Sequence, residues 1–430
     1  MVRSILLFLL GHLFFLSMSA QSKTDALLEN ILHDAKNAAL DTVIHHAQKF
    51  RCQIIYTQIN RDKNNHPVFH HYYFNYDPAV YFYPASMVKL PLALLALEKL
   101  NSLPHGINKY TTIQFDSSYP GQKILHSDST AANGLPSIAH LIKRAFLISE
   151  NDPYNRFYQF VGQKDINRKL HGKGYKDALI TRQFMGFTEE QNRHTNAVRF
   201  LKKDGDLAYS QPPAYNTDSF NFINTIKIGK AYMDRNDSLV QGPFDFTKYN
   251  KFPLADLQQL LQSVMFPESV SKKQRFNISN DDYQFVRRML SQYPSETPYP
   301  KYDTSVFYDS YVKFFFAGKD HQMPKNVRVF NKVGWAYGFM TDVSHVVDFE
   351  NKIEFMLSAT VYVNSDEVVN DNQYDYDTLG HPFMYALGQT IYNYELQRSR
   401  QYKPDLSKFR IEYEHRDTSD KRPPVMVVDN

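Results

Sequence analysis

Ser86 and Lys89 stand three residues apart in Tyr83-Pro84-Ala85-Ser86-Met87-Val88-Lys89-Leu90, just ahead of an apolar run from Leu90 to Leu100. If a helix starts near Ala85, the two side chains share a face. A serine hydroxyl is a weak nucleophile and needs a base within hydrogen-bond reach. A lysine in a dry pocket can serve, because desolvation lowers its pKa. The helix N-terminus adds a positive field where an oxyanion would form. The same string recurs at Ser269 to Lys272 and Ser310 to Lys313, neither of which opens a long apolar helix. An N-cap serine followed by a solvated lysine spells the same letters, so further motifs must decide.

Two further motifs follow in order. Ser149-Glu150-Asn151 comes about 60 residues later, where a helical pattern gives way to a loop. Lys332-Val333-Gly334 lies in a strand pattern near the far end of the chain. Singly, the first reads as an ordinary loop after a helix and the second as an edge-strand lysine before a bend. Together with Ser86-x-x-Lys89 they resemble the active-site-serine penicillin-recognising enzymes, above all the class A β-lactamases, whose signature is S-x-x-K, S-D-N and K-[ST]-G. The resemblance covers roughly residues 25 to 398, with clear identity only around the motifs.

That resemblance implies that Ser86 is the nucleophile and Lys89 its proton acceptor. It implies an oxyanion hole from the backbone N–H groups of Ser86 and Trp335, with Gly334 beside them. Ser149 would pass a proton to the leaving amine, Asn151 would hold a substrate amide, and Lys332 would supply positive field for a substrate carboxylate. Glu150 stands in place of the family's Asp and is assigned with Asn151 to substrate binding. Val333 stands where the family has a hydroxyl that helps bind the carboxylate. Trp335 is bulky where small residues usually line the cleft edge. No E-x-x-L-N string supplies a deacylating glutamate. Glu189 and Glu190 are nearest by position, and read better as a solvated acidic turn. The chain is also long between Ser149 and Lys332 by about 80 residues relative to the family pattern, an excess placed around 203–250 and its flanks.

The elements that must position these groups follow from periodicity. Residues 24 to 48 read as an amphipathic helix. Gln53 to Ile59 and Val68 to Phe74 read as a hairpin around Arg61 to Asn65. Residues 105 to 300 read as mostly helical with polar loops, and 203 to 250 as an inserted loop region. Helices are expected at Ile138–Ile148, Pro153–Val161, Leu254–Met265 and Asp281–Leu290. Strands are expected at Val327–Gly334, Asp342–Phe349 and Ile353–Tyr362, with a closing helix at Phe383–Arg398. The order predicts an α/β fold: a β-lactamase-like sandwich of antiparallel sheet with flanking helices plus an inserted, mainly helical subdomain at about 105–320. The site is expected between the two parts. The enzyme domain is placed at 21–400, with 401–430 as a loosely held polar tail.

The remaining features bound the function. Residues 1–20 read as a cleaved secretory signal: Arg3, then an apolar run from Ile5 to Leu16, then Ser17-Met18-Ser19-Ala20. This predicts a periplasmic or secreted protein with no integral span. The net charge of +4 is too mild to argue for nucleic acid. The single Cys52 excludes an internal disulfide and is expected in the core. His45-His46 and His70-His71 point apart on any helix or strand, so no metal or other cofactor is expected. The predicted function is an exported serine hydrolase that cleaves an amide or ester, β-lactam-like or cell-wall peptide, through an acyl-serine. The alternatives are a D-alanyl-D-alanine peptidase-like enzyme with slow deacylation, or an inactive relative that binds cell-wall peptides. The partner is a small molecule or peptide, and the expected state is a monomer.

Overall fold

The computed structural model describes residues 22–104, 106–184, 186–416 and 419–428. The expected signal at 1–20 lies outside them. The chain begins with α1 (Ala26–Asp34), α2 (Ala38–Ile44) and the hairpin β1 (Gln53–Arg61) and β2 (Pro67–Phe74). A 3-10 turn at Ala85–Val88 runs into α3 (Lys89–Leu100), followed by β3 (Thr112–Asp116). Next come α4 (Ile138–Leu147), α5 (Asn151–Val161), α6 (Gln163–Gly172), β4 (Ala197–Leu201) and β5 (Leu207–Gln211). Short strands β6 (Lys227–Ile228), β7 (Ala231–Met233), β8 (Leu239–Gln241) and β9 (Phe244–Asp245) precede α7 (Leu254–Met265) and α8 (Asn280–Ser291). The chain closes with β10 (Val327–Ala336), β11 (Phe339–Asp348), β12 (Ile353–Tyr362), β13 (Val368–Val369) and α9 (His381–Gln397).

The main sheet has the order β10-β11-β12-β1-β2 and is antiparallel throughout. Both ends of the chain therefore build it, as the sequence predicts. β1 shows why the sheet needs cover on both faces. Side chains alternate along a strand, and both of its sets contain buried apolar residues. Ile55 and Ile59 pack with α3 and the helical block, while Ile54 and Tyr56 pack with α1, α2 and α9. Helix α3 is buried nearly all round, so it can only be a central helix.

Several expectations change in detail. The helix expected over 24–48 breaks at Lys36, whose φ is 49°. Asn37 then caps α2 by accepting from Ala39 N at 3.1 Å and Leu40 N at 3.2 Å. The block after residue 105 also holds a sheet, β3-β4-β5, whose pairing joins segments far apart in sequence. The region 203–250 is not plain loop. It carries five short strands, β5 to β9, and β7 pairs in parallel with β13.

The C-terminal tail is held rather than loose. Leu406 and Phe409 are buried in the core. Arg416 donates to Pro294 O at 2.6 Å and Tyr302 O at 2.7 Å. Val425 pairs with the backbone at Lys301 and Asp303. A polar composition hid this, because the tail is fixed mostly through backbone groups and arginines rather than by an apolar stripe. Cys52 is a free thiol in the core.

Candidate active site

Ser86 sits in the 3-10 turn that leads into α3 and lines the cleft between the sheet and the helical block. Ala85 before it has φ 44°, a left-handed conformation that a residue with a Cβ rarely adopts. Strain of this kind collects at functional sites. Lys89 follows one helical turn later and is fully buried. Its Nζ donates to Ser149 O and, at 2.8 Å, to Asn151 Oδ1, and lies 3.3 Å from Ser149 Oγ. The ring of Phe184 covers it at 5.4 Å. Burial and, second, the nearby charge of Lys332 hold Lys89 well below the ordinary lysine range, with Glu150 opposing.

The Ser149-Glu150-Asn151 turn joins α4 to α5. Ser149 is itself left-handed, with φ 67°. Asn151 opens α5 and faces the cleft. Glu150 is placed otherwise than expected. Its carboxylate turns into the interior, where Arg144 of α4 donates to it at 2.8 Å and 2.6 Å and Tyr302 OH donates at 2.6 Å. The residue is a buried anchor that holds the strained turn, and it does not line the cavity beside Ser86. Sequence spacing located Glu150 but could not reveal that Arg144, six residues earlier, claims it.

Strand β10 supplies the opposite wall. Lys332 Nζ donates to Ser149 Oγ at 2.7 Å and to Val333 O at 2.8 Å. Burial lowers its pKa to about 7, with Asp342 opposing and Lys313 assisting. Gly334 allows the strand to approach the nucleophile turn: a Cβ there would meet Pro84 O at 2.5 Å, Met87 N at 2.9 Å and Ser86 N at 3.0 Å. Trp335, half-buried at the cleft edge, packs on Phe314 at 5.5 Å and Tyr311 at 6.2 Å. Val333 points to the other face, as alternation requires. It is wholly buried with α9 and offers nothing to the cleft. The expected deficit of a hydroxyl beside Lys332 therefore does not arise at this position.

Behind β10 lies a polar cluster that the motifs did not announce. Lys313 Nζ donates to Asn331 Oδ1 at 2.7 Å, and Asn331 Nδ2 donates to Asp342 Oδ1 at 2.9 Å. The string Ser310 to Lys313 thus marks a buried supporting lysine, whose Nζ also donates to Leu290 O and Val329 O, and not a second nucleophile. Ser269 caps its own turn by donating to Phe266 O at 2.7 Å.

The acidic turn lies away from the site. Glu189 pairs with Lys248 at 2.9 Å and Glu190 with His194 at 3.1 Å, and both carboxylates are largely exposed. Among the described residues, Asp234 is the one acidic side chain lining either half of the cleft. Its Oδ1 is engaged by Asn236 N and Ser238 N of its own turn. No group of three His, Cys, Asp or Glu side chains among the described residues lies together as a metal site. No helix among them is long and apolar enough to cross a membrane.

Residues 36–204 match the beta-lactamase enzyme family, a span that includes Ser86, Lys89, Ser149 and Asn151 and stops short of Lys332. That segment of the chain is similar to the β-lactamase enzyme family. No curated protein matches it in sequence. Solved structures that resemble it include the β-lactamase from Desulfarculus baarsii, at 12% identity over 88% of this chain and 100% of that one, with a TM-score of 0.46. The β-lactamase from Streptomyces albus G shares 10% identity over 84% of this chain and 99% of that one, with a TM-score of 0.44. An acyl-enzyme complex of PBP-A with penicillin G shares 10% identity over 85% and 97%, with a TM-score of 0.45.

The placement of Val333 gives a test in this protein. Val333→Thr buries a hydroxyl in an apolar layer, and is expected to destabilise the protein by about 1–3 kcal/mol without improving acylation. Denaturant melts and acylation rates check both halves. Faster acylation would show that the side chain reaches the cleft after all.

Proposed function

We propose that the protein is an exported acyl-serine hydrolase that cleaves an amide or ester, β-lactam-like or cell-wall peptide, in the manner of the class A enzymes. The observation that carries this reading is Ser149 Oγ lying between two buried lysines, 2.7 Å from Lys332 Nζ and 3.3 Å from Lys89 Nζ. A neutral Lys89 amine has two N–H groups. It would keep the bonds to Ser149 O and Asn151 Oδ1 and release the one to Ser149 Oγ, which frees a lone pair for the Ser86 proton. Ser86 Oγ then attacks the carbonyl carbon, and the backbone N–H groups of Ser86 and Trp335 would hold the oxyanion. Lys332 donates to Ser149 Oγ, so the serine's own proton can pass to the leaving nitrogen, which departs as the amine, and Lys89 hands the proton taken from Ser86 to Ser149 Oγ across 3.3 Å. Asn151 Nδ2 is left to donate to a substrate carbonyl. Water attack on the acyl-serine would complete the cycle. The apolar run after Arg3 supports export.

The second reading, a peptidase-like enzyme with slow deacylation, is favoured by one observation. Among the described residues, neither Glu189 nor Glu190 lines the cleft with Ser86, and the one carboxylate that does, Asp234, has Oδ1 engaged by two N–H groups of its own turn. Mixed with a penicillin, the wild type is expected to form a stoichiometric adduct that persists for minutes to hours by intact mass. Rapid multiple turnover would overturn the slow-deacylation reading. Turnover lost on Glu189→Gln or Glu190→Gln would identify the base.

The two lysines also fix the pH dependence. Lys89 must be neutral to accept a proton, so acylation rises with pH through its lowered pKa. Lys332 loses its charge above about 7, so kcat/KM for an anionic substrate falls there. A neutral ester is expected to keep the acid limb and lose most of the alkaline fall. Parallel pH–rate profiles for the two substrates check this, and identical profiles would remove Lys332 from anion binding.

A further inference from the structure

Ser86 lies where two halves of the cleft meet, together with Asn151, Trp335, Ala336, Tyr337 and Asn370. One half, about 430 Å³, adds Ser149, Asn372, Tyr374 and Tyr376. The other, about 560 Å³, adds Arg182, Phe184, Tyr232, Arg235 and Tyr249. Ser149 protonating the leaving group places that group in the first half, so the acyl group occupies the second. This assignment of sides rests on the function proposed above.

The segment between β6 and α7 supplies Tyr232, Met233, Asp234, Arg235, Phe244 and Tyr249 to the acyl half. Its rings fix one another: Phe244 stacks on Tyr337 at 5.8 Å and 25°, and Tyr249 meets Tyr337 edge-on at 6.1 Å. Such a wall is pre-formed, and aromatic pairs of this geometry favour a further ring. The hairpin β7–β8 overhangs it and is pinned in place. β7 pairs with β13, and Asn370 Nδ2 donates to Met233 O at 2.9 Å. Asp234 accepts from Asn236 N at 2.8 Å and Ser238 N at 2.9 Å, closing the turn that displays Arg235.

The charged side chains lining this half are Arg182, Arg235 and Asp234, a net positive set. The Arg182 guanidinium lies over the Tyr249 ring at 4.3 Å, and its hydrogen bond to Phe187 O is long, at 3.4 Å. Among the described residues, neither Arg182 nor Arg235 has a carboxylate at ion-pair distance. Asp234 lines the same half with Oδ1 engaged by its own turn, so two guanidiniums face one carboxylate. Two guanidiniums without acidic partners at the mouth of an aromatic-walled cavity favour an anion, and the planar fork of arginine suits a carboxylate.

We propose that the acyl half of the cleft is a subsite for an aromatic acyl group that carries a carboxylate, with the ring against Tyr249 and Tyr337 and the carboxylate on Arg182 and Arg235. Benzylpenicillin and carbenicillin provide a matched pair, because they differ by one carboxylate on the acyl side chain. Their equilibrium binding is measured on the Ser86→Ala protein, so that no chemistry intervenes. Carbenicillin is expected to bind about tenfold tighter or more, the size of one charge-assisted contact. The preference is expected to shrink in added salt and to fall towards one in Arg182→Gln. Arg235→Glu, at an exposed position that folding tolerates, is expected to take it below one. Equal affinities, no binding of either compound, or a preference that survives both substitutions would overturn the subsite. Fluorophosphonate labelling of wild type and Ser86→Ala tests the nucleophile separately: a label retained by Ser86→Ala counts against the serine and not against the arginines.

Discussion

The Ser86→Ala protein is expected to take up no covalent label from a fluorophosphonate, and Lys89→Ala to acylate about 100-fold more slowly or worse, the usual size for a lost general base. The expectation follows from the burial of Lys89 and the occupation of its two donors by Ser149 O and Asn151 Oδ1. Burial lowers the pKa of Lys89, which favours the neutral amine whose lone pair can accept a proton. Ser149→Ala separates the roles further. Fluoride leaves without needing a proton, so the phosphonate is expected to label this variant at close to the normal rate. An amide or β-lactam, whose nitrogen must be protonated, is expected to acylate it far more slowly. Equal losses with both reagents would place Ser149 in support of Lys89 and not in proton transfer to the leaving group.

The second large effect is expected at Gly334. An added Cβ would stand 2.5 Å from Pro84 O and 3.0 Å from Ser86 N, both backbone atoms that cannot rotate aside. Gly334→Ala must therefore push β10 away from the nucleophile turn. Overpacking of this kind typically costs about 1–3 kcal/mol. The effect on acylation is expected to be larger than the stability loss alone explains, because the displaced atoms include the amide proposed to hold the oxyanion. Removing one oxyanion donor slows an enzyme by about 100- to 1000-fold. Melting curves and single-turnover acylation on the same preparation distinguish the outcomes. A folded Gly334→Ala protein with normal acylation would show that the close approach of β10 has no part in catalysis.

Much of this architecture was legible because it is written in short-range patterns. Ile353–Tyr362 and Leu254–Met265 are predicted to the residue, since a largely apolar strand and an amphipathic helix each repeat their pattern several times. The motifs located Ser86, Lys89, Ser149, Asn151 and Lys332 at one cleft. What stayed hidden depends on partners distant in sequence or on the facing of a single side chain. Val333 follows Lys332 and so was read as its neighbour in the site, although alternation sends it to the opposite layer. Glu150 lies between two cleft residues, yet Arg144 and Tyr302 draw it inward. The break at Lys36 needed the capping signal of Asn37 to be weighed above the continuing apolar pattern. The tail at 401–430 looked unattached because arginine-to-carbonyl bonds such as Arg416 to Tyr302 O have no periodic signature. The aromatic and arginine wall of the acyl half was unreadable for the same reason: β7 is short, and its register is set by β13, more than a hundred residues later.

The central claim is that Ser86 carries the acyl group. It is tested most directly by reacting the wild type with a penicillin or a fluorophosphonate, digesting with trypsin and sequencing the modified peptide by mass spectrometry. The fragment Asn64 to Lys89 contains Ser86 as its single serine, so an adduct there assigns the residue. The account expects the adduct on that serine, with none on Ser149, Ser269 or Ser310. An adduct at any of those three, or a protein that neither reagent modifies, would contradict it.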